Sequence, residues 1–384
     1  MSDSLRIALD LTCLAEPRPT GVHMVARRQV EALLDRNDGV DYRVLIARGR
    51  RSPKDFSALA QRVSRLTVLP YARRLKLHLW RTLNWPPIEW FCGEVDVAHD
   101  LFHQLPAGRR ARRIVTVHDL SIYQRPDTHL RTTIRTQDAL LRHAARNADA
   151  LVAVSPSCKE DLIDILGVPP DRVFVVPNGV DTAEFDAPLD KDALTRLKTR
   201  LGVDDRYFIH IGTIEPRKNT RRLLDAIARL RDRRPDCPKL LVVGKAGWLC
   251  GPALGELARL SERGDVVHVG YMTREEAVLL LRGACACLYP SLHEGFGLPV
   301  LEAMAARVPV LTSNVSALPW VADGAALLVE PENTDSIEAA LDQLLDNPAG
   351  AQARVAHGYE RANTLTWAKS AETLVDVYRK IADF

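Results

Sequence analysis

The stretch Ser291-Leu-His-Glu-Gly-Phe-Gly-Leu-Pro-Val-Leu-Glu302 holds two carboxylates, Glu294 and Glu302, on either side of a glycine-bearing turn. It follows the apolar run Ala284–Pro290 and leads into a helical pattern, with Pro299 where a first helical turn accepts proline. Gly295 and Gly297 allow a close turn with bare backbone N–H groups, and a helix start after such a turn is a ready anion site. Carboxylates placed there can grip the hydroxyls of a sugar or a ribose. A glycine turn whose glutamate only offsets the helix dipole gives the same pattern.

Three further stretches could join this one. In His210-Ile-Gly-Thr-Ile-Glu-Pro-Arg-Lys-Asn219 a strand runs to Gly212, and Arg217 and Lys218 sit just before a helix beginning near Asn219. Arginine as a fork and lysine as a point charge would hold a diphosphate there, although a solvated basic loop reads the same way. Val115-Thr-Val-His-Asp119 ends an apolar run with His118 and Asp119, where the sites of α/β proteins gather, and His99, Asp100 and His103 follow another strand end as candidates for contact with a second substrate. Pro19-Thr-Gly-Val-His-Met-Val puts Gly21 at the first strand-to-helix turn, where a helix N-terminus can approach a phosphate.

Other chemistries are excluded by spacing. His293-Glu294 is not followed by a second histidine at the zinc-protease interval, no phosphate-loop motif is present, and no cluster of metal ligands stands out. Asp190-Lys-Asp192 falls in a linker and reads as solvated charge. The seven cysteines are odd in number and match no zinc pattern. Cys285 and Cys287 alternate in an apolar run and read as small buried thiols, which suits a reducing cytosol. No apolar run is long enough to span a bilayer, and the N-terminus reads as a first strand rather than a signal peptide.

Short apolar runs alternate with amphipathic stretches, the mark of parallel sheets covered by helices. Strands are expected at Leu5–Leu11, Tyr42–Ala47, Leu66–Pro70, Val95–His99, Ile114–His118, Leu151–Ser155 and Val173–Pro177, with helices over Val22–Arg36, Leu130–Asn147 and Pro156–Leu166. Ser157 with Glu160 resembles a capping box on the last. Asn178-Gly179 opens a stretch without a clear strand. The alternation then restarts at Tyr207–Gly212, Leu240–Gly244, Val266–Tyr271, Ala284–Pro290, Val308–Thr312 and Ala326–Val329, and Trp367 to Ile381 shows helical spacing. The 384 residues thus divide into an α/β domain over 1–185, a second over 186–365, and a closing helix over 366–384.

Net charge is +3, but residues 43–85 carry eleven basic side chains against one acid, Asp55, and Arg109, Arg110, Arg112 and Arg113 follow. The same stretch holds Leu75, Leu77, Leu79, Trp80 and Trp85, with Trp90 just beyond. Basic and aromatic residues together suit an anionic lipid surface, and so does a solvated helix with a buried apolar stripe. No nucleic-acid-binding module is recognisable, so nucleic acid is not an expected partner.

Together these segments resemble glycosyltransferase family 4, the retaining enzymes of GT-B fold: two Rossmann-like domains facing across a cleft, with a C-terminal helix crossing back to the first. The resemblance rests on the E-x7-E pattern of Glu294 and Glu302 around GFGLPVL, and on the order GTIEPRKN, VGKAGW (Val243–Trp248) and HVGYM (His268–Met272), which is similar to the bacterial mannosyltransferase branch. It implies that Arg217 and Lys218 bind the donor diphosphate, that Glu294 with the backbone of Gly295, Phe296, Gly297 and Leu298 holds the donor sugar, and that Glu302 binds the ribose. Gly212, Gly244, Tyr271 and Met272 would border the donor, Gly21 would approach its phosphate, and His118 would lie by the reacting carbon. The family's glycine-rich first loop is thin here, with Gly21 alone.

The resemblance further implies a hexosyltransferase that needs no metal and no cofactor beyond its nucleotide-sugar co-substrate, GDP-mannose being favoured. The acceptor would be a sugar hydroxyl of a growing, lipid-linked surface polysaccharide such as an O-antigen. The enzyme would work in the cytoplasm or at the inner face of the membrane. A UDP-, dTDP- or GDP-deoxysugar donor, and a non-catalytic partner subunit, are the alternatives.

Overall fold

All the strands run parallel, in two separate sheets, and the strand order in each sheet fixes where a ligand can enter. The structure, a computed structural model, describes residues 4–15, 21–48 and 56–383. Pro19, Thr20, Arg50, Arg51, Lys54 and Asp55 lie outside the described residues.

The first sheet comprises β1 (Arg6–Asp10), β2 (Asp41–Arg48), β3 (Arg65–Ala72), β4 (Val97–Asp100), β5 (Arg112–Val117), β6 (Ala150–Ala153) and β7 (Val173–Val175), in the order β3-β2-β1-β4-β5-β6-β7. The second comprises β8 (Tyr207–Ile211), β9 (Lys239–Val243), β10 (Val266–Gly270), β11 (Ala286–Tyr289), β12 (Val310–Ser313) and β13 (Leu327–Val329), in the order β10-β9-β8-β11-β12-β13. The central strands β4, β6, β11 and β12 are buried throughout, because helices cover both faces of each sheet. The chain reverses its direction of winding between β1 and β4, and again between β8 and β11, so each sheet has its binding crevice beyond the carboxyl ends of those two strands.

The chain forms two compact units. One takes the residues up to Leu120, Thr132–Asn178 and the stretch from Trp367; the other takes Ser121–Arg131 and Gly179–Thr366. The change of unit thus comes at Asn178 rather than near 185. Val180 pairs with Thr366, Phe185 is buried, and Glu184 and Asp186 bind Arg274 and Arg307, all within the second unit. The closing helix, Trp367–Ala382, belongs to the first unit, where Ala371, Leu374, Val375 and Tyr378 join the core with Ile7, Leu9 and Val30.

Local signals differ from expectation in three places. Ser155, not Ser157, caps the helix Pro156–Leu166: its hydroxyl accepts from the Cys158 N–H, because Pro156 takes the first helical position and leaves the cap one residue earlier. Asp190 is no idle surface charge; it caps the helix Lys191–Leu201 by accepting from the Ala193 N–H at 2.8 Å. In the basic stretch, Arg73–Leu83 is a helix that turns Lys76 and Trp80 inward while Leu75 and Leu83 stay exposed. Lys76 is fully buried and pairs with Asp10 at the end of β1, also donating to the Thr12 hydroxyl at 3.0 Å.

Candidate functional site

In the second unit the loops after β8 and β11, on either side of the winding reversal, are fastened together. Pro216 opens a single turn, Pro216–Lys218, and Asn219 follows it at φ 59°, a left-handed conformation that asparagine tolerates. The Asn219 amide donates to the carbonyls of Pro290 (3.0 Å) and Pro331 (2.6 Å). The Leu292 N–H donates to the Arg217 carbonyl at 2.8 Å. Below them His210 spans the seam: its Nδ1 donates to the Leu288 carbonyl at 2.8 Å, and burial pushes the ring down to about 4.

This brings Arg217, Lys218 and Glu294 together. The Arg217 Nη1 donates to Glu294 Oε2 (2.8 Å) and to the His293 carbonyl (2.8 Å), and Nη2 donates to Glu215 Oε1 (2.8 Å). The Lys218 ammonium donates to Glu294 Oε1 at 2.6 Å and to the Tyr289 hydroxyl, which itself donates to Glu294 Oε1 at 3.0 Å. All these side chains are largely buried. Burial alone would raise the Glu294 carboxyl, but Arg217 and Lys218 outweigh it and hold the group down at about 2. Burial raises Glu215 despite the same two cations, and lowers Lys218 despite Glu294. The result is a pair of buried cations balanced by a pair of carboxylates, opening at the ends of β8 and β11.

The turn into the helix Leu298–Ala305 needs glycine at 297. Its φ is 107°, and a Cβ there would stand 2.6 Å from Leu318 Cδ2. Phe296 points into the core, edge-on to Trp320 at 6.2 Å, so of this residue only the backbone is available to a ligand. Gly244 answers another close approach, since a Cβ there would lie 1.8 Å from the Gly212 carbonyl oxygen. The loops after β8 and β9 therefore run backbone to backbone. Tyr271, after β10, is largely exposed.

Glu302 does not join Glu294. It binds Arg274 Nη1 at 2.6 Å, and the other edge of the same guanidinium grips Glu184 at 2.8 Å. Sequence reasoning passed over Arg274. Thr273 and Glu276 form a capping box that marks the helix start at Arg274, a signal present in the sequence, but nothing there ties Arg274 to a glutamate 28 positions on.

The first unit carries Gly21 and His118. Gly21 opens the helix Gly21–Asp35, and a Cβ on it would meet nothing within 4 Å. His118 is buried at the end of β5; its Nε2 donates to the Leu101 carbonyl at 2.8 Å, which leaves Nδ1 as the basic nitrogen. Burial lowers its pKa, so the ring is neutral near pH 7. Beside it lies a cavity of about 20 Å³, lined in part by Gln29, Thr116 and Asn178. His99, expected near a second substrate, is instead inside the core: Nδ1 bonds the Tyr378 hydroxyl (2.7 Å), Nε2 bonds Thr116 (2.9 Å), and burial drives it down to about 3. Asp100 likewise turns inward, accepting from the N–H groups of Phe102 and Gln104. His103, at φ 65°, packs edge-on against His118 at 5.4 Å. Among the described residues no three of His, Cys, Asp and Glu gather as metal ligands, and no helix is long and apolar enough to cross a membrane.

Residues 19–184 match the family described as Glycosyltransferase Family 4, and residues 205–347 match the one described as Glycosyl transferases group 1. The chain is similar to the O-antigen chain mannosyltransferase B of Escherichia coli, 30% identical over 272 residues that make up 71% of each protein. It is 35% identical over 246 residues to the MMP alpha-(1->4)-mannosyltransferase of Mycolicibacterium hassiacum, covering 62% of this chain and 56% of that one. Among solved structures it resembles sucrose-phosphate synthase from Thermosynechococcus elongatus, with a TM-score of 0.73 at 19% identity over 98% of this chain and 99% of that one.

Proposed function

This chain belongs to glycosyltransferase family 4, and we propose that it moves a hexosyl group, mannosyl by preference, from a nucleoside-diphosphate sugar to a sugar hydroxyl of a growing surface polysaccharide. The observation that carries this is the buried Arg217–Lys218–Glu294 cluster at the winding reversal of the second sheet.

In this reading Arg217 and Lys218 receive the diphosphate and offset the charge that builds on it as the glycosidic bond breaks. Lys218 has three N–H groups; two serve Glu294 and Tyr289, and the third is left for a phosphate oxygen. The helix start at Leu298 adds positive potential, and Glu302, steadied by Arg274, takes the ribose hydroxyls. Gly212, Gly244, Tyr271 and Met272 border the base. Gly21 approaches the phosphate, and the basic Nδ1 of His118 serves the reacting end of the donor.

Glu294 binds rather than attacks. Arg217 takes one of its oxygens and Lys218 with Tyr289 the other, and a carboxyl held at about 2 is a weak nucleophile. The acceptor hydroxyl therefore enters on the leaving-group face, its proton passes to the departing phosphate, and the anomeric configuration is retained without a metal. A glycosyl group trapped on Glu294 or Glu302 would overturn this.

Mannose as the sugar draws support from the two relatives named mannosyltransferases, and GDP as its carrier is what the resemblance of the sequence motifs implies. The acceptor is assigned to a lipid-linked glycan at the cytoplasmic face of the membrane, with exposed Trp85, Trp90 and Leu83 meeting lipid and Arg109 stacked at 5.8 Å from the Trp90 ring. Flotation that does not increase with anionic lipid removes that assignment. The donor is tested by thermal unfolding with GDP, UDP, dTDP and ADP beside Arg217→Ala. A ligand at a hundred times its Kd adds about 2.7 kcal/mol. Stabilisation of the parent by one diphosphate, lost in the variant, fixes the donor class; no response to any of them favours a non-catalytic partner subunit.

A further inference from the structure

Three helices of the second unit meet at one guanidinium. Arg274 opens the helix Arg274–Arg282, directly after its capping residue Thr273. Its Nε and Nη2 donate to the two oxygens of Glu184 at 2.9 and 2.8 Å, and its Nη1 donates to Glu302 Oε1 at 2.6 Å. The guanidinium also lies over the Phe185 ring, 5.7 Å from its centroid. Burial would lower the Arg274 pKa, but the two carboxylates outweigh it and raise it.

Glu184 is the fixed end of this arrangement. It stands on the helix Thr182–Asp186, which Asp181 caps. Its neighbour Phe185 is buried, and Asp186 binds Arg307 at 2.8 Å and the Tyr359 hydroxyl at 2.9 Å. A guanidinium is planar, so two bonds along one edge to one carboxylate fix its plane and with it the direction of Nη1. The Glu302 oxygen is therefore placed by Arg274 and, one step back, by Glu184. Arg274 also joins the loop after β10, which carries Tyr271 and Met272, to the helix that follows β11.

Glu302 lies four positions past Leu298, about 6 Å along the axis from the start of its helix. Glu184, Arg274 and Glu302 carry two negative charges and one positive, so this spot repels a phosphate and suits a neutral group that donates hydrogen bonds. A carboxylate, which only accepts, matches two adjacent hydroxyls. We propose that Arg274 and Glu184 are positioning residues that aim Glu302 at the adjacent hydroxyls of the donor's ribose, and that this aim makes the site select a ribonucleoside diphosphate over its 2′-deoxy form. The proposal rests on the donor-site reading given above, and it sets dTDP aside among the donors considered there. A sugar without its 2′-hydroxyl leaves Glu302 one donor short, and a hydrogen bond to a charged group is worth about tenfold or more in affinity. Without Arg274 the Glu302 side chain is free to change rotamer, and it meets both sugars alike.

Calorimetry on the full chain tests this with pyrophosphate, with GDP, UDP and ADP each beside its 2′-deoxy form, and with dTDP. In the parent the nucleotide that binds is favoured about tenfold over its 2′-deoxy form. In Arg274→Met that preference falls below about threefold while the Kd of pyrophosphate stays within about twofold, because the diphosphate cluster does not use Arg274. Arg274→Lys keeps a cation beside Glu302 but not the fork, and loses the preference as well. Glu184→Gln loosens only the fixed end and falls between parent and Arg274→Met; it decides the matter should Arg274→Met fail to fold. The parent's full preference kept in any of these variants overturns the positioning. Pyrophosphate binding to the parent with no gain from a 2′-hydroxyl in any nucleotide overturns the ribose selection and leaves the donor-site reading standing. A parent that binds neither pyrophosphate nor any nucleotide overturns the donor-site reading, and this proposal with it.

Discussion

Glu294→Gln removes the carboxylate shared by Arg217 and Lys218 while keeping its size. The cost follows from the cluster. An ordinary glutamate near 4.5 is held here at about 2, and at about 1.4 kcal/mol per pH unit that difference is worth about 3 kcal/mol of folded-state stability. The carboxylate is buried in the folded state, so solvent screening does not reduce that figure. The sign is that of a depressed acid: the contribution is complete above about 4.5 and fades as pH falls through about 2. Glutamine also takes from both buried cations the carboxylate they share, leaving Glu215 bonded to Arg217, and breaking a buried pair costs about 3–5 kcal/mol. Thermal unfolding of the second unit at pH 7 should therefore fall by about 10 °C, at about 2–4 °C per kcal/mol for a unit of this size. Between pH 4.5 and 2 the parent should lose stability faster than the variant. GDP should still bind the variant, its phosphates replacing the missing anion, whereas GDP-mannose should lose any advantage over GDP. A variant that melts with the parent at pH 7 and keeps the parent's acid dependence would refute the reasoning, because Glu294 would then not be the anion those cations rely on.

Gly297→Ala should destabilise the second unit by about 2–3 kcal/mol, from a left-handed backbone and a contact with Leu318 at 2.6 Å, while Gly251→Ala, with nothing within 4 Å, serves as the neutral control in the same urea titration. Equal losses at the two sites would show that the turn is not what demands glycine. Lys76→Met should cost the first unit about 3–5 kcal/mol by stranding Asp10 beside Asp100, and adding Asp10→Asn should recover much of it in denaturant unfolding. A tolerated Lys76→Met would place Lys76 among the surface charges after all.

Parallel strands buried on both faces announce themselves as short apolar runs, which is why all the strands in both sheets were legible to within a few residues. The site was legible in part for a related reason. Strand ends are easy to find in such a fold, and Arg217, Lys218 and Glu294 each follow one directly. Nothing in the sequence says which strand ends are neighbours, and that depends on β8 lying beside β11. Glu294 and Glu302 belong to one sequence pattern, yet Glu302 lies within the helix Leu298–Ala305 and binds Arg274, a pairing the pattern does not show. Lys76 looked like one of many surface cations, because composition cannot show that a helix aims one of them at a buried aspartate. His99 followed a strand end as His118 does, and only the closing helix, which brings Tyr378 to it from far along the chain, makes it a core residue. The stretch Ser121–Arg131 was hidden for the same reason: its sequence continues one unit while its contacts belong to the other.

The cluster's own charges balance, and that constrains how it can bind an anion. Arg217 and Lys218 are matched by Glu294 and Glu215. A diphosphate arriving there adds negative charge to a buried, already neutral group, so one of the carboxylates must yield. Glu294 is the last to accept a proton, being held at about 2 by both cations. Glu215 is the first, because burial has already raised it and, among the described residues, Arg217 is the one cation that hydrogen-bonds it. Diphosphate binding should therefore draw a proton onto Glu215, and affinity should weaken as pH rises. Calorimetry of GDP binding in two buffers of different ionisation heat measures the uptake. Comparison with Glu215→Gln removes the proton traffic of the nucleotide itself. Parent uptake that exceeds the variant's, with a variant affinity less sensitive to pH, supports the assignment. Identical uptake in both would mean that the charge is balanced elsewhere, with Glu215 only orienting Arg217.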